Sequence, residues 1–370
     1  MDFGLSEEQQ QLKTSAREFL ADKCSTAAVR KAMAADDGRA PELERELAKL
    51  GWTGLIVPEK FGGAGLGMLD MAVILEEQGY AGMPGPFLFS SALAADALAR
   101  GGSDELNAKW LRAIADGSAV GTVAIVEASD SLAPADFAAV AHPDGARARI
   151  SGVKMFVPYG AAADFIVVAA RAGGATTDAA LYVVETKAAG VRINELKNLD
   201  LTRRVTRVEL DGAAAAPLSG GAKLYSRMLD IGAVAAAADS LGGIERALDM
   251  AVDYSKVREQ FGKPIGSFQA LKHAAAEIVS ELEPGRALVW YAAYAQDAAA
   301  ADASRAASMA KARLCDVFMR GADRAVLMHG GIGFTWEHDI HLWFKRARFN
   351  ESFFGSPAYH RERVAQLGGY

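Results

Sequence analysis

Two segments in the last third of the chain combine residue types that suit a flat, phosphorylated ligand. The first, the Arg258 segment (residues 258–269), offers a guanidinium, an aromatic ring and side-chain amides between two helical stretches. A guanidinium pairs with phosphate oxygens in a planar fork, so this set suits a pyrophosphate joined to a ring. The same residues also fit a capped turn, in which Gly262 gives backbone freedom and Pro264 stops the helix.

The second, the glycine segment (residues 329–339), has three glycines within four residues, at 330, 331 and 333. Glycines without side chains let a ligand approach the backbone closely. Taken alone, this segment also fits an ordinary turn. The two segments are informative only when they are considered together.

Other chemical motifs fail on their spacing. The glycine cluster at 62–67 follows an apolar run, but Met68 stands where a dinucleotide-binding turn needs its third glycine and Pro58 interrupts the junction, so we expect a structural loop. His338 and His341 lie beside acids, yet no second ligand cluster completes a metal site. The sequence has neither the serine-hydrolase elbow nor the phosphate loop of P-loop proteins.

Composition and charge exclude several classes of protein. Apolar residues make up 51% and charged residues 23% of 370 residues, which is ordinary globular usage and argues against disorder or a fibre. Forty basic against 46 acidic residues give a net charge of -6, so no global positive field attracts nucleic acid or anionic lipid. The two cysteines, Cys24 and Cys315, make no disulfide framework, and the N-terminal acids do not resemble a secretory signal. We expect a cytoplasmic protein with no membrane span.

The pattern of the chain is helical, then β, then helical again. Residues 1–118 show helical spacing, with a capping-box pair at Ser6 and Gln9. Short β-branched runs and turn signals fill residues 119–219, and long helical patterns resume over 220–370. We therefore predict an N-terminal helical domain, a middle β domain and a C-terminal helical domain with these bounds. The predicted helical stretches are 42–50, 69–78, 91–98, 223–258, 268–300, 303–328 and 340–348, and the predicted strands are 123–126, 150–157, 165–169, 180–184 and 205–210.

This order, with the Arg258 segment and the glycine segment in their places, resembles the acyl-CoA dehydrogenase family of flavoproteins over the full length. The run from Pro58 to Gly65 and the helix carrying Glu76 and Glu77 are also similar to that family. The resemblance implies a mainly α fold with a middle β-barrel and a C-terminal four-helix bundle. It also implies FAD as the cofactor, an acyl-CoA substrate and an electron-transferring flavoprotein as the acceptor.

In this family two neighbouring subunits of a tetramer share each FAD. The residues of the Arg258 segment and of the glycine segment that match the family reach the ADP half of a flavin held mainly by the other subunit. By resemblance, the matching cofactor-binding residues are Arg258, Gln260, Phe261, Gln269, Gly330 and Gly331. Leu327 replaces a glutamine often found before the glycines.

The family reaction removes a proton from C2 of the thioester with a glutamate while a hydride leaves C3 for the flavin. The weakly acidic C2 proton requires a base within reach. By resemblance, the usual base position is occupied by Phe354 and the other known base position by Gly232. Neither residue accepts a proton.

The flavin site that the resemblance assigns to this subunit itself also departs from the family. The loop matching Val126–Asp130 is shortened, so that Val126 replaces a hydroxyl residue, and Pro158 replaces a threonine that donates to the flavin. Ser129 and Phe156 remain as its candidate cofactor-binding residues, with Phe156 in place of a ring-stacking tryptophan.

These departures leave three hypotheses. The first is the base-lacking subunit of a heterotetrameric dehydrogenase of the kind that acts on steroid side-chain CoA esters, paired with a second acyl-CoA dehydrogenase subunit. The second is a self-sufficient homo-oligomer that uses Glu351 or Asp239 as the base, although an ion-pair role suits Glu351 and a buried polar role suits Asp239. The third is a binding or scaffold subunit without flavin. The sequence leaves the acyl group open.

Overall fold

The structure is a computed structural model that describes residues 4–173 and 178–370. Its contacts divide the chain into two compact units. Unit 1 contains the described residues up to Lys31, then Ala72–Met83 and Ala233–Tyr370, and unit 2 contains Ala32–Met71 and Pro84–Gly232. The three-domain division of the sequence stays a prediction.

The helices and strands follow the helical, β, helical order. The α-helices of the described residues are α1 (Glu7–Lys23), α2 (Thr26–Ala34), α3 (Pro41–Lys49), α4 (Met68–Ala81), α5 (Ala95–Gly101), α6 (Asp104–Ala115), α7 (Gly221–Val257), α8 (Gln269–Asp297), α9 (Ala303–His329), α10 (Ile340–Ser352) and α11 (Pro357–Leu367). The strands are β1 (Gly121–Ala124), β2 (Val140–Asp144), β3 (Arg147–Pro158), β4 (Phe165–Ala172), β5 (Ala179–Glu185), β6 (Val191–Leu196), β7 (Val205–Pro217), β8 (Glu259–Gln260) and β9 (Lys263–Pro264).

Local sequence signals explain most of these elements. The capping box at Ser6 and Gln9 is present at the start of α1, where each side chain pairs with the other residue's backbone. The helix predicted over 91–98 begins earlier, as a π-helical segment over Leu88–Ala94 that continues into α5. Residues 142–145 have the composition of a turn, but most of them belong to strand β2. Proline is tolerated there because β2 pairs with β4 at Val140 and Ala141, so Pro143 needs no N–H donor on the β4 side.

Unit 2 contains a closed β-barrel. The strands pair in the order β1-β4-β2-β3-β7-β5, and β5 pairs back with β4, so five of them form a ring to which β1 and β6 are added. Valine, isoleucine and alanine fill its interior, and Ile150, Val168 and Val208 are fully buried there. The predicted middle β-barrel is therefore present.

A buried ion pair ties the end of β1 to β3 in this barrel. The Lys154 ammonium lies 2.6 Å from a carboxylate oxygen of Glu127 and donates to the Ile125 carbonyl at 3.0 Å. Glu127 also accepts from the backbone N–H groups of Ala138 and Ala139. Burial lowers the pKa of Lys154 to about 8, against the attraction of Glu127.

Unit 1 is a helical bundle built on close backbone contact. A side chain at Gly79 of α4 would lie 2.0 Å from the Asp239 carbonyl, and one at Gly242 of α7 would lie 1.7 Å from the Glu76 carbonyl. Only glycine lets α4 and α7 approach this closely. Helix α9 packs against α8, α10 and α11, and its Gly321 lies against Ile244 of α7. These contacts agree with the four-helix bundle that the resemblance implies.

Unit 1 also buries a network of charges. Burial raises the pKa of Glu76, against the attraction of Lys13 and Arg286. Each fully buried carboxylate of α4 contacts a cation from another helix, and Glu245 of α7 joins the network. The members are Lys13, Arg17, Glu76, Glu77, Glu245 and Arg286.

The buried pair predicts a large effect from one substitution. Lys154→Met leaves the Glu127 carboxylate buried without its cation, and we expect it to lower the free energy of unfolding by about 3–5 kcal/mol. Lys109→Met removes the exposed partner of Glu185 and should cost less than about 1 kcal/mol. Urea unfolding of both variants measures the difference, and equal losses would contradict the structural role of the pair.

Candidate functional site

The position that the resemblance assigns to the family's usual base holds a buried aromatic ring. The Phe354 side chain is 3% exposed and packs edge-on against the Phe353 ring, with centroids 4.4 Å apart. Its backbone has a left-handed φ of 59°, followed by Gly355 at 97°, and the Phe354 carbonyl accepts a hydrogen bond from His360 at 2.8 Å. Burial lowers the pKa of His360 to about 3, so that imidazole is neutral at pH 7. Nothing in the Phe354 side chain accepts a proton.

The second position that the resemblance assigns to a base, Gly232, also has no proton acceptor. Gly232 is buried in α7, within an apolar run from Ile231 to Ala238. A glycine offers no side chain to a substrate. Neither of the two positions that the resemblance assigns to the base therefore carries a side chain that accepts a proton.

Asp239, one of the two alternative acids, is the anion of a buried ion pair. Its carboxylate lies 3.1 Å from the guanidinium of Arg346 and accepts from the Asn350 amide at 2.7 Å. Both Asp239 and Arg346 are at most 1% exposed. Arg346 also donates to the Met83 carbonyl at 3.1 Å. This geometry favours the buried polar role of Asp239 over a catalytic one, because the carboxylate already has its cation.

Glu351, the other alternative acid, lies near the end of α10. Its carboxylate pairs with the guanidinium of Arg348, which precedes it by one helical turn, and its side chain is one quarter exposed. The Glu351 carbonyl accepts from the buried Lys311 ammonium at 3.3 Å. The ion-pair role of Glu351 is thus the one that the observed contacts support.

In unit 2 the structure brings together the two stretches that match this subunit's own flavin site. The Met155 N–H donates to the Val126 carbonyl at 2.8 Å, which ties the end of β3 to the 126–130 loop. Ser129 lies exposed on that loop. The register of β3 against β7 shifts between Lys154 and Val157, and Phe156 projects from this irregularity with a φ of 53° and 51% exposure.

Pro158, beside this exposed ring, has no donor of its own. Its carbonyl accepts from the buried hydroxyl of Thr122. The next residue, Tyr159, adopts a φ of 49°, and its buried hydroxyl donates to the Thr202 carbonyl at 2.8 Å and accepts from the Gly85 N–H. The stretch is firmly held, but it presents an aromatic surface rather than hydrogen-bond donors.

The Arg258 segment forms a tight hairpin rather than a plain loop. Strands β8 and β9 flank a two-residue turn in which Phe261 and Gly262 have φ values of 56° and 77°. This is the pattern of a type I′ turn, whose first position favours asparagine or glycine. Phe261 is nevertheless a large aromatic residue that is 91% exposed, and its ring meets the Phe268 ring edge-on at 6.0 Å.

The polar candidates of this segment are also exposed. Arg258 and Gln260 lie on the surface of unit 1, and Gln269 begins α8 at an exposed position. Gln260 donates to the neighbouring Glu259 carbonyl. The hairpin thus offers a cation, amides and a ring to a ligand outside this unit.

The glycine segment begins where α9 ends. Gly330 has a φ of 63°, and a side chain at Gly330 or Gly331 would meet no atom within 4 Å in the described part of the chain, apart from its chain neighbours. The chain then continues as a 3-10 helix over Gly330–Phe334. Side-chain packing does not require a glycine at either position, although the positive φ at the end of α9 favours glycine at Gly330. Open space above bare backbone is what a closely approaching ligand needs.

An aromatic stack places the two segments at the same end of the bundle. The ring of Tyr254, one turn before Arg258, stacks on His329 with centroids 4.7 Å apart and an interplanar angle of 27°. Sequence reasoning did not identify Tyr254. The only signal in the sequence was an aromatic residue in the last turn of a helix, which is also usual for a core position.

Two further expectations concern metals and membranes. Within residues 4–173 and 178–370, no cluster of three or more candidate ligand residues forms a metal site, although His338 lies close to His329. In the same described ranges, no helix combines the length and apolarity needed to span a bilayer.

Comparisons with known proteins agree with the geometry. Residues 6–118 match the family described as acyl-CoA dehydrogenase, N-terminal domain, and residues 219–368 match acyl-CoA dehydrogenase, C-terminal domain. The chain is 34% identical to the acyl-CoA dehydrogenase IpdE2 of Mycolicibacterium smegmatis over 98% of both chains. This protein therefore belongs to the acyl-CoA dehydrogenase family, and FAD, the cofactor expected from the sequence, is confirmed at the level of the family.

Two solved structures are similar over nearly the whole length. One is the ChsE4-ChsE5 complex from Mycobacterium tuberculosis, with a TM-score of 0.92, 29% identity and coverage of 100% of this chain and 99% of that chain. The other is a variant of the steroid acyl-CoA dehydrogenase Tcur3481-Tcur3483, with a TM-score of 0.91, 31% identity and coverage of 98% of both chains. The resemblance to steroid-type acyl-CoA dehydrogenases is thereby confirmed.

The left-handed backbone of Phe261 in the hairpin turn predicts that replacing this residue will stabilise the protein. Phe261→Asn suits the left-handed backbone better, and we expect it to raise the free energy of unfolding by about 1 kcal/mol. Phe334→Asn removes another exposed ring, 74% exposed, from a residue without positive φ and should give no such gain. Thermal unfolding distinguishes the two variants, and an equal change in both would contradict the strain argument.

Proposed function

We propose that this chain is the base-lacking subunit of a heteromeric, FAD-dependent acyl-CoA dehydrogenase. The observation that carries the proposal is Phe354, because a buried phenyl ring occupies the position where the family has its proton acceptor. The two alternative acids, Asp239 and Glu351, are engaged with Arg346 and Arg348. The partner subunit would then supply the base.

The exposed segments of unit 1 give this subunit a positive role. The hairpin carries Arg258, Gln260 and the exposed ring of Phe261, and the double glycine leaves open space above the backbone. We propose that Arg258 pairs with the pyrophosphate of a flavin held by the partner, while Gln260, Gln269 and the backbone at Gly330 and Gly331 contact its ADP half. Bound FAD supplies the hydride acceptor.

The chain's own flavin stretch supports the same division of labour. Phe156 still presents a ring, and Ser129 lies exposed nearby, but Val126 and Pro158 offer no side-chain donor. A flavin ring needs hydrogen bonds as well as stacking to be held and tuned. This site would consequently bind FAD weakly, and Ser129 and Phe156 are the residues that would touch it.

The similar structures support a heteromer, because each is named as a combination of two proteins, ChsE4 with ChsE5 and Tcur3481 with Tcur3483. A steroid-derived acyl-CoA substrate and an electron-transferring flavoprotein as the acceptor are parts of the proposal. Both cysteines, Cys24 and Cys315, are unpaired and buried, in keeping with the proposed cytoplasmic location. Domains at 1–118, 119–219 and 220–370 complete the proposed organisation.

The stoichiometry of the flavin tests the proposal directly. The chain is produced alone and with a candidate partner dehydrogenase subunit, and bound FAD is measured from the flavin absorption band. We expect little flavin in the chain alone and about half a flavin per subunit in the mixed oligomer, since one of its two kinds of site lacks donors. About one flavin per subunit in the chain alone, reduced by an acyl-CoA, would favour the self-sufficient alternative. A colourless mixed oligomer would favour the flavin-free scaffold.

Two substitutions then show which segment serves the flavin. Arg258→Ala should weaken FAD binding to the mixed oligomer by about tenfold or more, because a charge-assisted contact to the pyrophosphate is lost. Lys256→Ala removes an exposed cation two residues away, which pairs with Asp253, and should leave binding within about twofold.

Phe156→Ala provides the opposite test, because it removes the ring of the chain's own stretch. Under the proposal the flavin content of the mixed oligomer is unchanged by Phe156→Ala and reduced by Arg258→Ala. Loss of flavin only in Phe156→Ala would place the occupied site in this subunit and overturn the assignment.

A further inference from the structure

Three rings meet at the end of the bundle where the Arg258 segment and the glycine segment begin. His329 stacks on Tyr254, and the His338 ring lies 4.4 Å from His329, centroid to centroid, and 6.2 Å edge-on from Tyr254. His329 is 3% exposed, whereas His338 is half-buried. Because the two imidazoles are this close and one of them is buried, their charge state affects the stability of this end of the bundle.

The hydrogen bonds of His329 define its neutral form. Its Nδ1 lies 2.7 Å from the Ala325 carbonyl, which can only accept, so Nδ1 carries the proton. Its Nε2 is buried and has no hydrogen-bond partner among the described residues. A second proton would therefore place an N–H group and a positive charge in a buried site where these residues offer no acceptor.

His338 is neutral for a different reason. Its Nδ1 accepts a hydrogen bond of 3.1 Å from the backbone N–H of Ile340, the first residue of α10. Protonation of Nδ1 would set two N–H groups against each other and remove this cap. Protonation of both histidines would add repulsion between two cations about 4 Å apart.

The charged groups around the pair act mainly on His338. Asp339 raises the pKa of His338 and Arg30 lowers it, and these two residues pair with each other at 2.7 Å. Arg30 also donates to the His338 carbonyl at 3.2 Å. Burial is the largest influence on both histidines and lowers both pKa values, while the Ala325 carbonyl acts in the opposite direction on His329.

The stack is joined to both segments through the backbone. The Tyr254 carbonyl accepts from the Arg258 N–H at 2.9 Å, and His329 is followed immediately by Gly330. A change in the stacking of Tyr254 on His329 therefore alters how the hairpin is placed against the double glycine.

We propose that His329 and His338 are positioning residues that align the hairpin with the double glycine only while both imidazoles are neutral, so that acid releases the flavin these segments serve. The inference rests on the proposed function, because it assumes that the two segments contact a neighbour's FAD. The sign follows from the neutral forms that the fold favours. Alignment is complete above the ordinary histidine pKa of about 6.5 and is lost as the pH falls below it.

The experiment measures FAD release from the mixed oligomer between pH 8 and pH 5 by the fluorescence of free flavin. For the unaltered protein we expect the FAD dissociation constant to rise about tenfold between pH 7.5 and pH 5.5. The variant carrying His329→Phe and His338→Asn keeps a ring on Tyr254 and an acceptor for Ile340 but cannot be protonated. Its dissociation constant should change less than about twofold over the same range.

His142→Asn is the matched control, because His142 is exposed on β2 and should leave the pH profile as it is. If the double variant fails to fold, His338→Asn alone is used, because it removes the half-buried titrating group. It should reduce the change of the FAD dissociation constant with pH. An unchanged pH profile in the variants would overturn the role of the histidines.

Thermal unfolding of the chain alone at pH 7.5 and pH 5.5 separates this inference from the proposed function. If the histidine variants reduce both the loss of thermal stability in acid and the release of FAD in acid, the inference and the proposed function are both supported. If they change unfolding but not FAD release, the stack is pH-sensitive and the segments do not serve the flavin, which overturns the inference through the proposed function. If they change neither, the stack itself is not the sensor and the inference fails while the stoichiometry test stands.

Discussion

Buried carboxylates must be paired with cations, and this constraint shapes unit 1 more than any other. Glu76 and Glu77 of α4 are held by Lys13, Arg17 and Arg286, and Asp239 of α7 is held by Arg346. Removing a carboxylate from water costs several kcal/mol unless a cation and hydrogen bonds replace the water. The acids that this unit buries most deeply therefore stabilise the contacts between helices, and each of these three is engaged with at least one cation.

The residues proposed to contact the flavin include exposed rings with an unfavourable backbone conformation. Phe261 and Phe156 both adopt a left-handed backbone, which disfavours bulky side chains, and both present their rings to solvent. Neither ring contributes much to a core. Such strain is expected where a ligand or another subunit needs the side chain, and the two rings lie in different units, one on the segment proposed to serve a neighbour and one on the stretch proposed as the chain's own flavin site.

Sequence patterns predicted the elements whose signals are local. The capping box of α1, the long helices α7 to α9 and the strands of the barrel all follow from side-chain periodicity and caps. Strand β2 could not be predicted, because residues 142–145 have the composition of a turn. Pro143 is allowed within the strand because the pairing of β2 with β4 covers Val140 and Ala141 and does not extend to the proline. The hairpin of the Arg258 segment was hidden because Phe261 is an unfavourable residue for a type I′ turn.

The sequence by itself determined the family and the cofactor class, and it predicts that a base is missing at Phe354 and Gly232, because these depend on residue identity at motif positions. Only the tertiary structure showed which cations the remaining acids contact, because an ion pair such as that of Asp239 with Arg346 joins residues more than a hundred positions apart. It also decided that Tyr254, His329 and His338 meet, and that burial lowers the pKa of both histidines. Protonation states depend on burial and on hydrogen-bond partners, which exist only after the helices have packed.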